Sequence, residues 1–204
     1  TRNQRLSGIK SFYGFLKYLS LENLEEIQKI LSIKQKKTHS RLIEYLSIDA
    51  IKLILQQPDT TTKKGIRDLA LLALMYDSGA RVSEIINLTP SMLKIIKPCT
   101  VKVIGKGNKA RLIPLVDPQV NHLKKYMNLY NLHEPKRQLA PLFFNSRSER
   151  LTRSGVGYIL NKYVKAARKL DDTGIPARVN CHMLRHSRAM HLTGRNRVNI
   201  NSGY

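Results

Sequence analysis

"VNCHMLRHSRAMHL", residues 179–192, sets His182, Arg185 and His186 at positions i, i+3 and i+4. On a helix those offsets share one face, so the stretch predicts a helix near 181–192 that gathers three nitrogen-bearing side chains. Three uses compete for them. Two histidines one turn apart could begin a metal site, but Met183 stands where a zincin motif carries its glutamate, and only Cys181 lies close enough to add a ligand. The histidines could simply cap or pack, as His191 is expected to do. Alternatively, the planar fork of Arg185 matches two phosphate oxygens, and a neighbouring histidine can donate or transfer a proton.

Outward from that stretch, the charge of the chain bears on the choice. The 204 residues carry 36 Lys+Arg against 14 Asp+Glu, a net charge of +22 and a pI near 10.3. Such an excess favours a polyanionic partner, nucleic acid before an anionic membrane surface. With 42% hydrophobic residues the chain is globular. No apolar run approaches the ~20 residues of a membrane span, and "TRNQRLSGIK" at the start lacks the apolar core of a signal peptide. Cys99 and Cys181 have no zinc-site or disulfide spacing and fit a reduced compartment.

Helical spacing of apolar residues runs through "QRLSGIKSFYGFLKYL" (4–19) and "LENLEEIQKIL". The polar, basic "SIKQKKTHSR" (32–41) then reads either as an ordinary loop or as a linker whose Lys34, Lys36, Lys37 and Arg41 face DNA phosphates. A longer compact region follows. "SIDAIKLILQQ" opens on Ser47 as an N-cap, and "KKGIRDLALLALMYDSGA" (63–80) is a strongly apolar helix with Gly79 as its stop. "RVSEIINL" predicts a short helix. "CTVKVIGKGNKARLIPL" (99–115) predicts a hairpin, with Val101, Val103 and Leu112 alternating around a glycine-containing turn. Further helices are expected near 117–130 and 152–169, and "PLFFN" (141–145) as a short strand or buried connection. The fold class is therefore mainly α with one small antiparallel β-sheet.

Two more constellations could carry chemistry. Arg81 follows the Gly-Ala turn and opens a helix, where it can meet a bound anion; Glu84, one turn on, could hold an arginine in place. Lys106 stands between two glycines at the hairpin turn, where its ammonium could reach a ligand; the spacing is not that of a nucleotide-binding P-loop. Each alone is equally consistent with a solvated surface charge.

Taken in order, "GARVSEI", "GKGNKARLIPL" and "HMLRHSRAMHL" resemble the tyrosine recombinase (phage integrase) family, over residues 1–192. The resemblance implies a catalytic domain over 42–204, a linker over 32–41, and, over 1–31, the end of a helical core DNA-binding domain. It implies DNA strand transfer without metal or other cofactor: a tyrosine hydroxyl attacks the scissile phosphate, forms a 3′-phosphotyrosine and expels a 5′-hydroxyl. Arg81 and Arg185 would clamp the phosphate, Lys106 would be the general acid, and His182 would hydrogen-bond the phosphate or assist proton transfer. Glu84 and His186 would support them, and Lys109, Arg111 and Arg153 would join the basic linker in contacting DNA. The implied partners are double-stranded DNA and other copies of the chain assembled on it, with no membrane, in the cytoplasm at the nucleoid.

The pattern departs at its end. Only 19 residues follow Arg185, no Gly-His pair appears after residue 192, and Tyr204 arrives earlier than the family's nucleophile. The expectation is a truncated integrase, by a frameshift or another loss, that lacks its nucleophile, with Tyr204 a weak candidate and association weakened. A DNA-binding or regulatory fragment is the competing reading, and an RNA-binding protein a distant third, since RNP aromatics and a KH loop are absent.

Overall fold

A computed structural model describes residues 2–19, 22–37, 44–172 and 174–193. The expectations placed on Arg41, on Tyr204 and on the sequence after Thr193 lie outside these residues. The chain divides into two compact units, residues 1–42 and 43–204.

In the first unit, helix α1 (Arg2–Leu16) packs on helix α2 (Leu24–Ser32), burying Leu6 and Ile27. The basic segment after α2 returns along α1. Asn3 holds the Lys36 backbone by two hydrogen bonds, Nδ2 to the carbonyl at 2.8 Å and the amide to Oδ1 at 3.0 Å, and Gln35 Nε2 donates to Ser7 Oγ. Lys34, Lys36 and Lys37 are exposed there.

The second unit is built round helix α4 (Lys63–Ser78), buried along almost its whole length from Gly65 to Tyr76. A helix apolar on all sides needs neighbours on all sides. Helices α6 (Asp117–Leu129) and α8 (Cys181–Thr193) pack along it, and α3 (Ile48–Leu55) touches it while leaning on α7 (Arg153–Leu170). Ser47 caps α3 by accepting from the Ala50 amide, Thr62 caps α4 through Gly65, and Gly79 ends α4 in the left-handed conformation, φ 56°. At the other end of α4, buried Asp68 is fully partnered: Arg67 donates to its Oδ1 from Nε and Nη2, and the Tyr163 hydroxyl to its Oδ2 at 2.9 Å. That network ties α4 to α7.

Beyond short α5 (Val82–Ile86), strands β2 (Thr100–Ile104) and β3 (Ala110–Pro114) form the expected hairpin. A third strand, β1 (Leu93–Lys94), joins the other edge of β2; two residues are too short to show a strand's alternation in sequence. "PLFFN" is a buried connection with one isolated bridge, Phe144 to Arg150. Among the described residues, no helix is long and apolar enough to cross a membrane.

Two glycines separate packing from propensity. A Cβ on Gly65 would fall on the Asp59 carbonyl, whereas one on Gly157 in α7 meets open space. Gly65→Ala should destabilise the fold by about 3 kcal/mol. Gly157→Ala should stabilise it by roughly 0.5–1 kcal/mol. Urea unfolding midpoints of the two variants check both signs.

Candidate phosphate-binding site

The site starts from a buried carboxylate. Glu84, on α5, has a side chain only 3% exposed, and it accepts four hydrogen bonds. The Arg81 backbone amide reaches Oε2 at 2.8 Å and Arg81 Nη1 reaches Oε1 at 3.1 Å. Arg111 Nη1 and Nη2 fork onto Oε1 and Oε2 at 3.1 and 2.7 Å. Burial alone would raise the Glu84 carboxyl, but the Arg111 fork and the Arg81 amide outweigh it and hold the group at about 2. Glu84 is therefore ionised across the physiological range and keeps both arginines in place.

Strand register explains the Arg111 contact. Arg111 lies directly opposite Val103, so the two side chains share a face of the sheet. Val103 is fully buried, and Arg111 follows it inward onto Glu84. The hairpin turn is drawn to the same carboxylate: a Cβ on Gly105 would stand 3.2 Å from Glu84 Oε1 and 3.5 Å from Arg111 Nη1. Gly107 and Asn108 then turn the chain with positive φ, 72° and 58°, which glycine and asparagine tolerate best. Lys106 stands exposed on this turn, one residue from Gly105, and the Lys109 side chain is exposed beyond it.

Helix α8 supplies the other half. Its N-terminus is capped by Asn180, whose Oδ1 accepts from the His182 and Met183 amides at 2.9 and 3.0 Å. Met183, Leu184 and Ser187 turn inward; Ser187 Oγ accepts from the Leu46 amide and donates to the Met183 carbonyl. The opposite side carries His182 and His186, whose rings meet edge to face at 4.3 Å. Burial, then the nearby His186, Arg185 and Arg81, lowers the His182 imidazole from its ordinary value. His182 is thus neutral at physiological pH, with one ring nitrogen able to donate and the other to accept. The fields of Arg81 and Arg185 meet at this ring, although the two arginines lie on different elements. Arg185 Nη1 is buried without a hydrogen-bond partner.

Thus Arg81, Glu84, His182, Arg185 and His186 gather round one basic patch, with Lys106 on the turn that abuts Glu84. Arg153 is exposed at the first position of α7. Lys34, Lys36 and Lys37 belong to the other unit. His191 packs between Tyr45 and Tyr76, its Nδ1 2.8 Å from the Tyr76 hydroxyl. Among the described residues, no cluster of three or more His, Cys, Asp or Glu could hold a metal ion. Sequence reasoning missed the Arg111–Glu84 fork, which the alternation Val101–Val103 carried across the hairpin could have shown.

The clamp has a pH signature. The folded Glu84 carboxyl titrates near 2 against an ordinary 4.5, so its stabilisation is complete above pH 4.5 and lost as pH falls through 2. The two arginines are 54% and 40% exposed, so solvent screening trims the gain. Glu84→Gln should cost about 2 kcal/mol at pH 7. Urea unfolding of both proteins from pH 7 to pH 2 should show this difference shrinking toward acid.

The phage integrase family profile matches residues 44–201. The chain is 34% identical over 197 residues to the tyrosine recombinase XerC of Pelotomaculum thermopropionicum, covering 94% of the chain and 61% of that protein. It is 33% identical over 192 residues to XerD of Staphylococcus epidermidis, covering 92% and 60%. The chain thus spans about three fifths of the length of these curated relatives. Two solved structures share its fold. XerH bound to palindromic difH substrate, a post-cleavage complex, has a TM-score of 0.64 at 20% identity, over 92% of this chain and 61% of that one. The Tn1549 transposon integrase in complex with transposon right end DNA has a TM-score of 0.63 at 16% identity, over 94% and 74%. With its family profile lying over the helices and hairpin that carry Arg81, Lys106, His182 and Arg185, the chain belongs to the phage integrase family of tyrosine recombinases.

Proposed function

We propose that residues 43–204 form the phosphate-binding part of a site-specific DNA recombinase, with Arg81 and Arg185 as the phosphate clamp. The observation that carries this is the buried, unpartnered Nη1 of Arg185 in a patch whose buried carboxylate, Glu84, is already saturated with donors. A desolvated guanidinium without an acceptor is costly, and a phosphate oxygen would relieve that cost. In the strand-transfer step, charge spreads over the non-bridging oxygens of the scissile phosphate, and donors fixed in advance stabilise it without reorganising. Arg81, held by Glu84, and Arg185, carried on capped α8, are such donors. Lys106 on the hairpin turn would protonate the departing 5′-oxygen, and neutral His182 would hydrogen-bond the phosphate or relay the nucleophile's proton. The attacking tyrosine is left unassigned: Tyr204 follows Arg185 too closely for the family's spacing.

By the same proposal, duplex DNA is the partner and other copies assemble on it. The first unit belongs to a helical DNA-binding domain, and Lys34, Lys36, Lys37, Lys109 and Arg153 contact backbone phosphates. A chain that occupies DNA without cleaving it fits the same charge, and one experiment separates the two. Duplex affinity should fall steeply with salt, on the order of 10³-fold between about 50 and 200 mM. Arg185→Gln should weaken binding about tenfold at fixed salt. On a nicked suicide substrate a denaturation-resistant adduct would mark strand transfer, and its absence would mark occupation without cleavage. An adduct that disappears in Tyr204→Phe would make Tyr204 the nucleophile and overturn that part of the proposal; a flat salt response would overturn the DNA reading itself.

A further inference from the structure

A cavity of about 540 Å³ opens where α4 begins, and cations line it: Lys63, Lys64 and Arg67 from α4, and Lys136 and Arg137 from the connection after α6. Among the described residues that line it, Glu134 alone is acidic. The volume is that of a small-ligand site, roughly 300–1,000 Å³. Arg81 stands beyond the other end of α4, a helix of 16 residues and hence about 24 Å long. The cavity is therefore separate from the phosphate clamp.

Two of the five cations have carboxylates of their own. Arg67 Nε and Nη2 donate to Asp68 Oδ1 at 2.9 and 2.6 Å, and Nη1 donates to the Phe144 carbonyl at 3.0 Å. Lys136 Nζ lies 3.0 Å from Glu134 Oε2. Lys63, Lys64 and Arg137 make no ion pair among the described residues. Asp59, four residues before Lys63, accepts at Oδ1 from the Thr61 amide and hydroxyl, and it lines a neighbouring hollow that shares Lys63 and Lys64. Arg137 is half-buried, with its guanidinium carbon 5.3 Å from the centre of the Phe144 ring and its Nε buried without a hydrogen-bond partner. A long side chain can swing into water. One kept in a cavity with four other cations, its N–H desolvated and unpaired, is costly until an anion reaches it.

We propose that this cavity is a second anion site, which takes a compact oligophosphate between Lys63, Lys64 and Arg137. Three cations without carboxylates call for more than the single charge of a carboxylate ligand, and a chain of phosphates brings several charges in a small volume. The opposite rim is held ready for it. Asn145 Oδ1 accepts from the Arg147 and Glu149 amides, which fixes the turn carrying Ser146 and Ser148. Both serine hydroxyls line the cavity and make no hydrogen bond among the described residues, so both are free to donate to phosphate oxygens. Recessed donors select a small ligand over a duplex: the Arg67 side chain is 12% exposed and Arg137 is half-buried, whereas a duplex backbone is met by fully exposed side chains. The site does not depend on the clamp reading.

The test is an NMR titration of the whole chain with sodium tripolyphosphate at low ionic strength, with sodium chloride of matched ionic strength as the control. The amides of Lys63, Lys64, Ser146 and Ser148 should shift and saturate with tripolyphosphate and not with chloride. Arg137→Gln should weaken this binding about tenfold, and the double variant Lys63→Gln, Lys64→Gln by a similar factor. Both lysines are exposed, so the double variant keeps the fold and decides the matter even if Arg137→Gln, which also loses its place on Phe144, does not. Arg185→Gln should leave the four amide titrations unchanged. The His182 amide reports the clamp separately, so failure at one site is not read as failure at the other. Saturating duplex should leave tripolyphosphate bound in the cavity. The proposal is overturned by shifts that do not saturate, by equal shifts with chloride, by full affinity in the double variant, or by displacement with duplex, which would make the cavity a contact for the DNA backbone.

Discussion

The arrangement depends on one buried carboxylate. Glu84 has four donors on its two oxygens, from the backbone and side chain of Arg81 and from both terminal nitrogens of Arg111. These bonds join elements that would otherwise be independent: the turn after α4, helix α5 and strand β3. A single ion pair at a surface is worth little. A saturated carboxylate at 3% exposure is different, because removing its arginines would leave a charge buried and unpaired. The hairpin cannot slide by one residue without turning Arg111 outward. That constraint fixes where Gly105, and hence Lys106, can be.

How much of this was legible depends on how far apart in the chain the partners lie. The α8 cluster was readable because i, i+3 and i+4 offsets define a helix face from sequence alone. So were the caps of α3 and the stop of α4, since Ser47 and Gly79 act on their own turns. Glu84 beside Arg81 was readable as a short-range pair. The Arg111–Glu84 fork is not legible in this way, because a lone arginine on a hairpin has no local signal of its partner. Its role appears only once register places it opposite Val103. Arg188 reaches the Tyr76 ring only through the packing of α8 on α4, which no period in either segment encodes. Strand β1 was lost for a simpler reason: its two residues carry no period.

The electrostatics of the patch follow from these contacts. Arg81, Arg111, Arg185 and Arg188 stand in one region of a chain with net charge +22. Cations brought together with no ligand repel, and side chains as long as arginine relieve repulsion by swinging into water. A site that must meet a phosphate with its donors already placed needs counter-charges beneath them. Glu84 supplies one, so fully bonded that its carboxyl is held near 2. Asp77 contrasts with it: burial pushes its carboxyl up to about 6, an effect that the charge of Arg188 only partly offsets.

Helix α4 turns these local contacts into a geometry. Its flanks are closed by α6 and α8, and its N-terminal half is anchored to α7 by the Arg67–Asp68–Tyr163 network. A helix buried in this way cannot tilt or rotate without opening the core on several sides. Its last turn is therefore a fixed reference for whatever is built on it. Arg81 is built on it directly, two residues past the left-handed Gly79. Arg185 is built on it indirectly, through the α8 seam at His191 and Arg188. The two arginines belong to different helices, but both are referred to the same four residues, Tyr76 to Gly79. The relative placement of Arg81 and Arg185 therefore rests on the turn that ends α4, and a polar change there should move the two arginines before it opens the core.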